Sequence, residues 1–380
     1  MEIYTPCRNR SACRHDGANS GCGDPGSKSK EIRIGFQTIP NTEAVAKGAG
    51  WHEKALSGWK VKWVPFDSGR DVNNALASDS IDIGLVGSTL VSTGLSKGID
   101  YEVIWLADVI GDNEALVVKD TSGIQEIGDL VGKTIAVTFG STTQYSLLGA
   151  LQASQIDSGK VHIIDMKPAD MLAAWNRGDI DGGYVWQPTL QQMQQNGGHV
   201  LITSGQLAHK GIVTADVIVV RKSFAESHPE QVKTYLASLN KAVTLFRSHP
   251  DEAAAVVAKE FGISHEEALE MMKELIWLSA DEQLTSDYLG TPDHQGELWE
   301  SAGGYGAFPE GAKPDRPGAF SKGIPGCRFF SFIARSCTRS RGEVMKVLEL
   351  KHISLAYEQG KKTFCALQDI NLTIDEGGSS

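Results

Sequence analysis

Residues 81–96, IDIGLVGSTLVSTGLS, join a short apolar strand directly to a helix. The strand is predicted over 81–86 and the helix over 89–96, with Gly87 and Ser88 between them. The same order recurs along the chain, with strands predicted at 32–36, 61–66, 101–106, 115–118, 134–137, 161–164, 182–185 and 217–220, and helices at 71–77, 142–153, 169–175 and 189–195. Such alternation predicts an α/β fold with mixed, mainly parallel sheets. After residue 221 the pattern becomes almost wholly helical, over 224–247, 251–261 and 265–277.

The composition narrows the class of protein. The chain has 380 residues with a formal net charge of -11, and 41% of its residues are hydrophobic. This length suits one large domain or two ordinary ones. The excess of acidic residues argues against a protein that binds nucleic acid by neutralising phosphates. The sequence also contains no run of about 18 apolar residues, which is the length that a membrane-spanning helix needs. The acidic excess lies within 31–300, whereas both ends are slightly basic and hold all six cysteines.

Three strands end in glycine and a hydroxyl residue immediately before a helix. The segments are FDSG at 66–69, VGST at 86–89 and FGSTT at 139–143. Helix N-termini expose backbone N–H groups and a partial positive charge, glycine allows close approach, and hydroxyl groups add donors. This arrangement suits an anion, although Ser, Thr and Asp are also ordinary helix caps.

Five longer segments carry a family resemblance. They are FDSGRDVNNALASDSIDIGLVGST (66–89), DNEALVVKD (112–120), IGDLVGKTIAVTFGSTTQYSLLGAL (127–151), MLAAWNRGDIDGGYVWQPTL (171–190) and TADVIVVRKSFAESHPEQVK (214–233). In this order they resemble the periplasmic taurine-binding receptors of bacterial ABC importers, over about 31–300. The wider family includes receptors for alkanesulfonates, nitrate and thiamine precursors. The taurine branch matches best, through Glu114 in NEALVV and through STTQYSLL.

The resemblance implies a two-lobed periplasmic binding protein fold (type II) with the ligand in a cleft between the lobes. One lobe would combine about 31–113 with 217–300, and the other would comprise about 114–216. The lobes would close on a hinge when the ligand binds. The receptor would then deliver the ligand to an ABC permease and ATPase. We expect a monomer that binds no nucleic acid and needs no cofactor.

Taurine carries a sulfonate at one end and an ammonium at the other, so its site must be bipolar. Donors for the sulfonate are available at Gly87, Ser88, Ser141, Thr142 and Thr143. The ammonium needs a carboxylate or an aromatic face. The expected residues for that end, together with one further polar residue of the cleft, are Glu114, Asp216, Tyr145, Trp186 and Gln37.

Each of these assignments has an ordinary structural alternative. Trp186 could belong to a core, Asp216 could be a turn residue, and Glu114 could pair with a surface lysine. The acids of RGDIDG, Asp179 and Asp181, are interpreted as a turn and a strand edge.

An enzyme would need a group of catalytic residues, and the sequence shows no motif that provides one. The sequence has no Gly-x-Ser-x-Gly elbow, no His-Glu-x-x-His and no dinucleotide-binding glycine pattern. Enzymes of thiamine-precursor synthesis share the implied fold and are the enzymatic alternative. They use a cysteine-rich motif, and residues 31–300 contain no cysteine. The ten histidines show no metal-binding spacing, so no metal is expected.

The first thirty residues are predicted to be a disordered linker, since they are rich in Gly, Ser, Asn and Arg. ANSGCG resembles the end of a lipoprotein signal, in which Cys22 would receive the lipid; the alternative is a chance cysteine. The apolar stretch of a signal peptide is missing, so a location in the periplasm or, lipid-anchored, on the outer face of the cytoplasmic membrane is implied by the family alone. A zinc site from Cys7, Cys13, His15 and Cys22 fits no reliable spacing.

The last eighty residues divide into two parts. Residues 301–344 have no regular period and are interpreted as a frameshifted segment or a linker. Residues 345–380 resemble the opening strand pair of an ABC-transporter ATPase, with Tyr357 at the position that stacks on adenine. The phosphate-binding loop does not follow, so no ATP hydrolysis is expected. Read-through from a receptor gene into an ATPase gene would explain this order; a fused subunit packed onto the receptor is the alternative.

Overall fold

The computed structural model describes residues 30–291, 294–296 and 298, and the backbone of 346–359 and 362–375. The strands are β1 Glu31–Phe36, β2 Lys60–Pro65, β3 Ile83–Gly87, β4 Tyr101–Val109, β5 Glu114–Lys119, β6 Thr134–Val137, β7 His162–Asp165, β8 Gly182–Trp186, β9 Gly198–Thr203, β10 Ala215–Arg221, β11 Gly290–Thr291, β12 His294–Gln295, β13 Lys346–Gln359 and β14 Lys362–Asp375. The helices are α1 Thr42–Gly48, α2 Trp51–Ala55, α3 Gly69–Ala77, α4 Ser88–Ser96, α5 Thr142–Ala153, α6 Pro168–Arg177, α7 Thr189–Gln195, α8 Ser204–Ala208, α9 Lys222–Ser227, α10 Pro229–Ser248, α11 Pro250–Phe261, α12 His265–Lys273 and α13 Ala280–Gln283. None of the described helices is both long enough and apolar enough to cross a bilayer.

Two five-stranded sheets organise the chain. The first has the order β2-β1-β3-β10-β4 and the second has the order β7-β6-β8-β5-β9. In each sheet two neighbouring pairs of strands are parallel and two are antiparallel, because one strand runs against the other four. This strand is β10 in the first sheet and β5 in the second. The predicted two-lobed α/β fold with mixed sheets is confirmed.

The chain passes between the sheets twice. The strands of the first sheet come from 31–109 and 215–221, and those of the second come from 114–203. The crossings at 110–113 and 204–214 therefore lie side by side, and the Gly205 N–H donates to the Gly111 carbonyl at 3.0 Å. Two adjacent crossings between two lobes are the geometry that permits hinge closure.

Each sheet is covered on both faces, which explains why its central strands are apolar throughout. In β5, Leu116 and Val118 belong to one core cluster, whereas Ala115 and Val117 belong to another on the opposite face. The helices after β10 pack on the first sheet and share its core.

Several element boundaries differ from the sequence prediction. The helices α1, α2 and α8 and the strand β9 were not predicted. The helix expected over 224–247 is divided at His228, since Pro229 begins a new helix at its N1 position. The helix expected to reach 277 ends at Lys273, because Ile276 forms a β-bridge with Val109.

Strands β13 and β14 form an antiparallel pair that runs from Lys346 opposite Asp375 to Gln359 opposite Lys362. A strand pair is what the resemblance to an ATPase opening implies here, and that assignment stays a prediction. The adenine-stacking role of the Tyr357 side chain, lipidation at Cys22, the zinc set and the linkers at 1–29 and 301–344 lie outside the described residues.

Candidate ligand-binding cleft

A cleft lies between the two sheets. It is bounded by the ends of β3, β8 and β10, by the start of β5, and by the first residues of α3, α4 and α5. Its lining residues are Gln37, Ile39, Gly69, Gly87, Leu90, Asn113, Glu114, Ser141, Thr142, Trp186 and Asp216.

Seven of the ten residues expected from the sequence line this cleft: Gln37, Gly87, Glu114, Ser141, Thr142, Trp186 and Asp216. The other three, Ser88, Thr143 and Tyr145, do not. The Ser88 hydroxyl accepts the Ala215 N–H at 3.2 Å and is buried. The Thr143 and Ser141 hydroxyl oxygens lie 2.6 Å apart, and Tyr145 is one turn further along α5.

Three helix N-termini meet in the cleft. Ser68 caps α3, and Ser141 caps α5 by accepting the Gln144 N–H at 3.4 Å. Gly87 precedes α4 and offers no side-chain cap. The first-turn N–H groups of a helix have no partner within the helix, and the helix dipole adds partial positive charge there. The cleft therefore has one pole that suits an anion.

Glycine at position 87 is required for the two lobes to approach each other. A Cβ atom at this position would lie 2.8 Å from Cγ2 of Thr142, which belongs to the second lobe. Close by, the Thr89 hydroxyl donates to the Gly140 carbonyl at 3.2 Å, also between the lobes. The described conformation is thus a closed one.

Glu114 is buried at the start of β5, and both of its carboxylate oxygens are hydrogen-bonded. Oε2 accepts the Thr142 hydroxyl at 2.6 Å and Oε1 accepts the Ser204 hydroxyl at 2.9 Å. Burial raises the pKa of Glu114 to about 7, although these hydroxyl groups favour the ionised form and lower it.

Two further carboxyl groups lie on neighbouring strands. Asp216 on β10 is opposite Asp108 on β4 in the antiparallel register. Burial, followed by the charges of Asp108 and Glu114, raises the pKa of Asp216 well above its ordinary value. Burial also raises the pKa of Asp108 to about 7, against the hydrogen bond that its Oδ2 accepts from the Asn41 amide at 3.1 Å.

The cluster of Asp108, Glu114 and Asp216 is not matched by a cation within the described structure. The charges that act on these three groups are each other's, and no lysine, arginine or histidine contributes. Arg70 and Lys167 each pair with a carboxylate of the opposite lobe, Asp165 and Asp71 respectively. The second pole of the cleft is therefore acidic and suits a cationic group.

A model of the family described as NMT1/THI5 like matches residues 42–253. The chain belongs to the NMT1/THI5-like family. Over 220 residues it is 43% identical to the taurine-binding periplasmic protein of Escherichia coli K12, covering 58% of this chain and 68% of that protein. A putative aliphatic sulfonates-binding protein of Bacillus subtilis 168 is 35% identical over 240 residues, 63% of this chain and 71% of that one.

Among solved structures, the periplasmic aliphatic sulphonate binding protein SsuA of Escherichia coli superimposes with a TM-score of 0.54 at 25% identity. The match covers 65% of this chain and 84% of SsuA. The matched family region, 42–253, includes every lining residue of the cleft except Gln37 and Ile39.

Within this NMT1/THI5-like chain, the acidic pole does not have the form of a metal site. Among the described residues, no three His, Cys, Asp or Glu side chains are grouped closely enough to hold a metal ion.

Sequence reasoning missed several residues of this site. Gly69 belongs to the FDSG motif at 66–69, which was recognised. Ile39, Leu90 and Asn113 have no feature in the sequence that would mark them as cleft residues. Asp108 was overlooked, although an acid within the apolar run IWLADVI is an unusual feature of a central strand.

Proposed function

We propose that the chain is the receptor of an ABC importer and that it binds taurine, or a closely related small aminosulfonate, in the cleft between its lobes. The observation that supports this proposal is the bipolar cleft. Helix N-termini with hydroxyl groups suit a sulfonate, and buried carboxyl groups without a cation suit an ammonium. The receptor would perform no chemistry on the ligand.

The two poles are close together, which favours a short ligand. Thr142 begins α5 at the anion pole, and its hydroxyl donates to Glu114 at the acidic pole. In the first sheet, Asp216 pairs directly with Gly87 across neighbouring strands, which are about 5 Å apart. A ligand whose opposite charges are separated by two carbon atoms matches this spacing.

The remaining assignments follow from the family setting. We place the mature receptor in the periplasm, where it would deliver the ligand to a membrane permease and its ATPase. The 43% identity to a taurine-binding periplasmic protein supports this placement. We propose that it acts as a monomer.

A receptor for aliphatic sulfonates is the second candidate, favoured by the similarity to the Bacillus subtilis protein. An alkanesulfonate has no ammonium and would leave the cluster of Asp108, Glu114 and Asp216 unmatched in a buried site. Because an unmatched buried charge costs several kcal/mol, we favour the aminosulfonate.

Calorimetric titration of the purified chain with taurine, ethanesulfonate and isethionate tests the proposal. We expect taurine to bind at least about 30-fold more tightly than ethanesulfonate, because loss of one partner of a buried charge pair costs roughly 2–5 kcal/mol. Equal binding of the three ligands would identify a general sulfonate receptor. Failure of all three to bind would refute the proposed function.

A further inference from the structure

Asp108 differs from the other two members of the acidic cluster because it does not line the cleft. It is fully buried behind Asp216, on the neighbouring strand β4. Its Oδ2 accepts one hydrogen bond, from Asn41, and its Oδ1 has no hydrogen-bond partner among the described residues. A buried carboxylate oxygen without a partner is costly unless it carries a proton or a cation arrives nearby.

We propose that binding of an amine-bearing ligand releases a proton from the cluster of Asp108, Glu114 and Asp216, and that the facing pair of Asp108 and Asp216 gives it up. This inference rests on the proposed function, since it requires that the cleft bind an aminosulfonate. It adds a regulation of that same site: the affinity for the ligand depends on pH through a carboxyl pair of which one member, Asp108, does not line the cleft.

The surroundings of the cluster leave few other groups that could exchange this proton. Glu114 is faced by the hydroxyl groups of Thr142 from α5 and Ser204 from α8, and Tyr184 on β8 is the other titratable group that interacts with it. Asn41, just before α1, faces Asp108. The Tyr184 pKa is raised far above neutrality by burial, so this phenol stays protonated throughout.

Other acids near the cleft face different partners. The charges that act on Glu274 are those of Asp112 and Glu270, and its carboxylate accepts the Gln187 amide at 3.1 Å. Glu43 accepts the Tyr235 hydroxyl at 2.5 Å, and the charged group that acts on it is Lys47. Neither Glu274 nor Glu43 is among the charged groups that shift the pKa values of the cluster.

The charge balance dictates the direction of proton transfer. In the free protein, three carboxyl groups share one buried region without a cation, so they cannot all be ionised near neutral pH. Asp108 and Asp216 face each other across neighbouring strands, and burial raises the pKa of both carboxyl groups, so this pair holds the proton. An ammonium placed between Glu114 and Asp216 favours ionisation of every nearby carboxyl. The O–H bond that holds the proton in the pair of Asp108 and Asp216 then breaks, and the proton passes to solvent while the electron pair stays on the carboxylate.

Titration calorimetry of the full chain with taurine, in buffers of different ionisation enthalpy at pH 6, measures the number of protons released. We expect about one proton per taurine, seen as a more exothermic signal in buffers that take up protons with more heat. By linkage, the taurine affinity should then rise roughly fivefold from pH 6 to pH 7 and level off above pH 7. An enthalpy independent of buffer, with taurine still bound, would overturn the inference and leave the proposed function intact. Absence of taurine binding would overturn both.

The variant Asp108→Asn tests whether the pair of Asp108 and Asp216 is the source. Asparagine imitates the protonated acid and removes one charge that raises the pKa of Asp216, so the variant should release far less than one proton. Its affinity should match the wild type near pH 6 and fall behind it progressively towards pH 8. A merely structural role would instead weaken binding equally at every pH with the proton count unchanged, which would refute the assignment. Glu43→Gln is the matched control, because it removes another buried carboxyl outside the cluster; it should keep the full proton count. If Asp108→Asn does not fold, the wild-type buffer dependence still decides whether a proton is released.

Discussion

Replacing Asp216 with asparagine removes one charge from the acidic pole while keeping the size of the side chain. The Asp216 carboxylate lines the cleft, yet it accepts no hydrogen bond from any described residue. Glu114 has both of its oxygens engaged by hydroxyl groups, and Asp108 lies behind the cleft wall. Asp216 is therefore the carboxylate most available to a ligand ammonium, and Asp216→Asn is the sharpest test of the acidic pole.

The expected loss of affinity follows from burial. Asp216 is 6% exposed, so an ammonium bound to it would be largely removed from water. Removing one partner of such a pair costs roughly 2–5 kcal/mol, which corresponds to about 30-fold to several thousand-fold weaker taurine binding. Ethanesulfonate has no ammonium, so its affinity should stay unchanged or improve. Calorimetric titration with both ligands measures the difference, and Asp120→Asn, which removes an exposed carboxylate of the second lobe, is the control.

The same substitution should not destabilise the free protein. The pKa of Asp216 is raised by burial and by Asp108 and Glu114, so the folded protein holds a proton there that the unfolded chain does not. A raised carboxyl pKa means that stability falls as the pH rises from the ordinary pKa of about 4 towards the raised one. Asparagine has no such dependence, so the variant should be at least as stable as the wild type and should gain relative to it between pH 5 and 8.

Chemical denaturation without ligand, at pH 5 and pH 8, measures this second effect. The reasoning would be refuted if Asp216→Asn weakened taurine and ethanesulfonate equally, because the carboxylate would then have no specific role towards an ammonium. It would also be refuted if the free variant were clearly less stable than the wild type at pH 8, because the charge would then be satisfied within the protein.

Three further predictions concern closure and stability. Gly87→Ala should weaken taurine binding at least about tenfold without loss of the fold, since the added Cβ would lie 2.8 Å from Cγ2 of Thr142. Thr142→Ser removes that methyl group and keeps the hydroxyl, so the double variant should regain much of the affinity. Absence of this rescue in calorimetry would contradict the steric argument. Lys167→Met removes the 2.7 Å ion pair to Asp71 between the lobes; because this pair is partly exposed we expect about 0.5 kcal/mol, or a two- to threefold faster release of taurine in stopped flow, with the difference disappearing at high salt. Glu43→Gln removes a buried carboxyl whose pKa is raised to about 7. Because a raised carboxyl pKa makes the wild type less stable as the pH rises, the stability of the variant relative to the wild type should increase from pH 5 to pH 8 in chemical denaturation. A constant difference would contradict the linkage.

The sequence predicted the fold where strand and helix periods alternate cleanly. The strand predicted at 81–86 and the helix at 89–96 correspond to β3 and α4, and those at 134–137 and 142–153 correspond to β6 and α5. The missed helices α1 and α2 are short, at seven and five residues, so neither gives a sustained helical period. Strand β9 lies at the edge of its sheet, where alternate burial is weak, and it gives little signal.

The cleft was predicted less completely than the fold, for reasons of geometry. Consecutive helical residues point about 100° apart, so Thr142 can face the cleft while Thr143 next to it is fully buried. Ser88 has the right chemistry, but its hydroxyl is already engaged with the backbone of β10. The sequence contains the residues of a helix N-terminus, but the direction of each side chain depends on where the helix docks.

The position of the acidic cluster couples ligand recognition to closure. Asp108 and Asp216 belong to the first sheet, whereas Glu114 begins the second and is held there by Thr142 and Ser204. In the absence of a cation, closing the lobes brings these carboxyl groups together at a cost in desolvation and repulsion, which favours the open form. An ammonium between them converts that repulsion into attraction towards both lobes at once. A sulfonate alone does not have this effect, because the helix N-termini at the other pole bind an anion without relieving the acidic cluster. In the proposed complex, discrimination in favour of the amine and closure of the cleft therefore arise from the same three carboxyl groups.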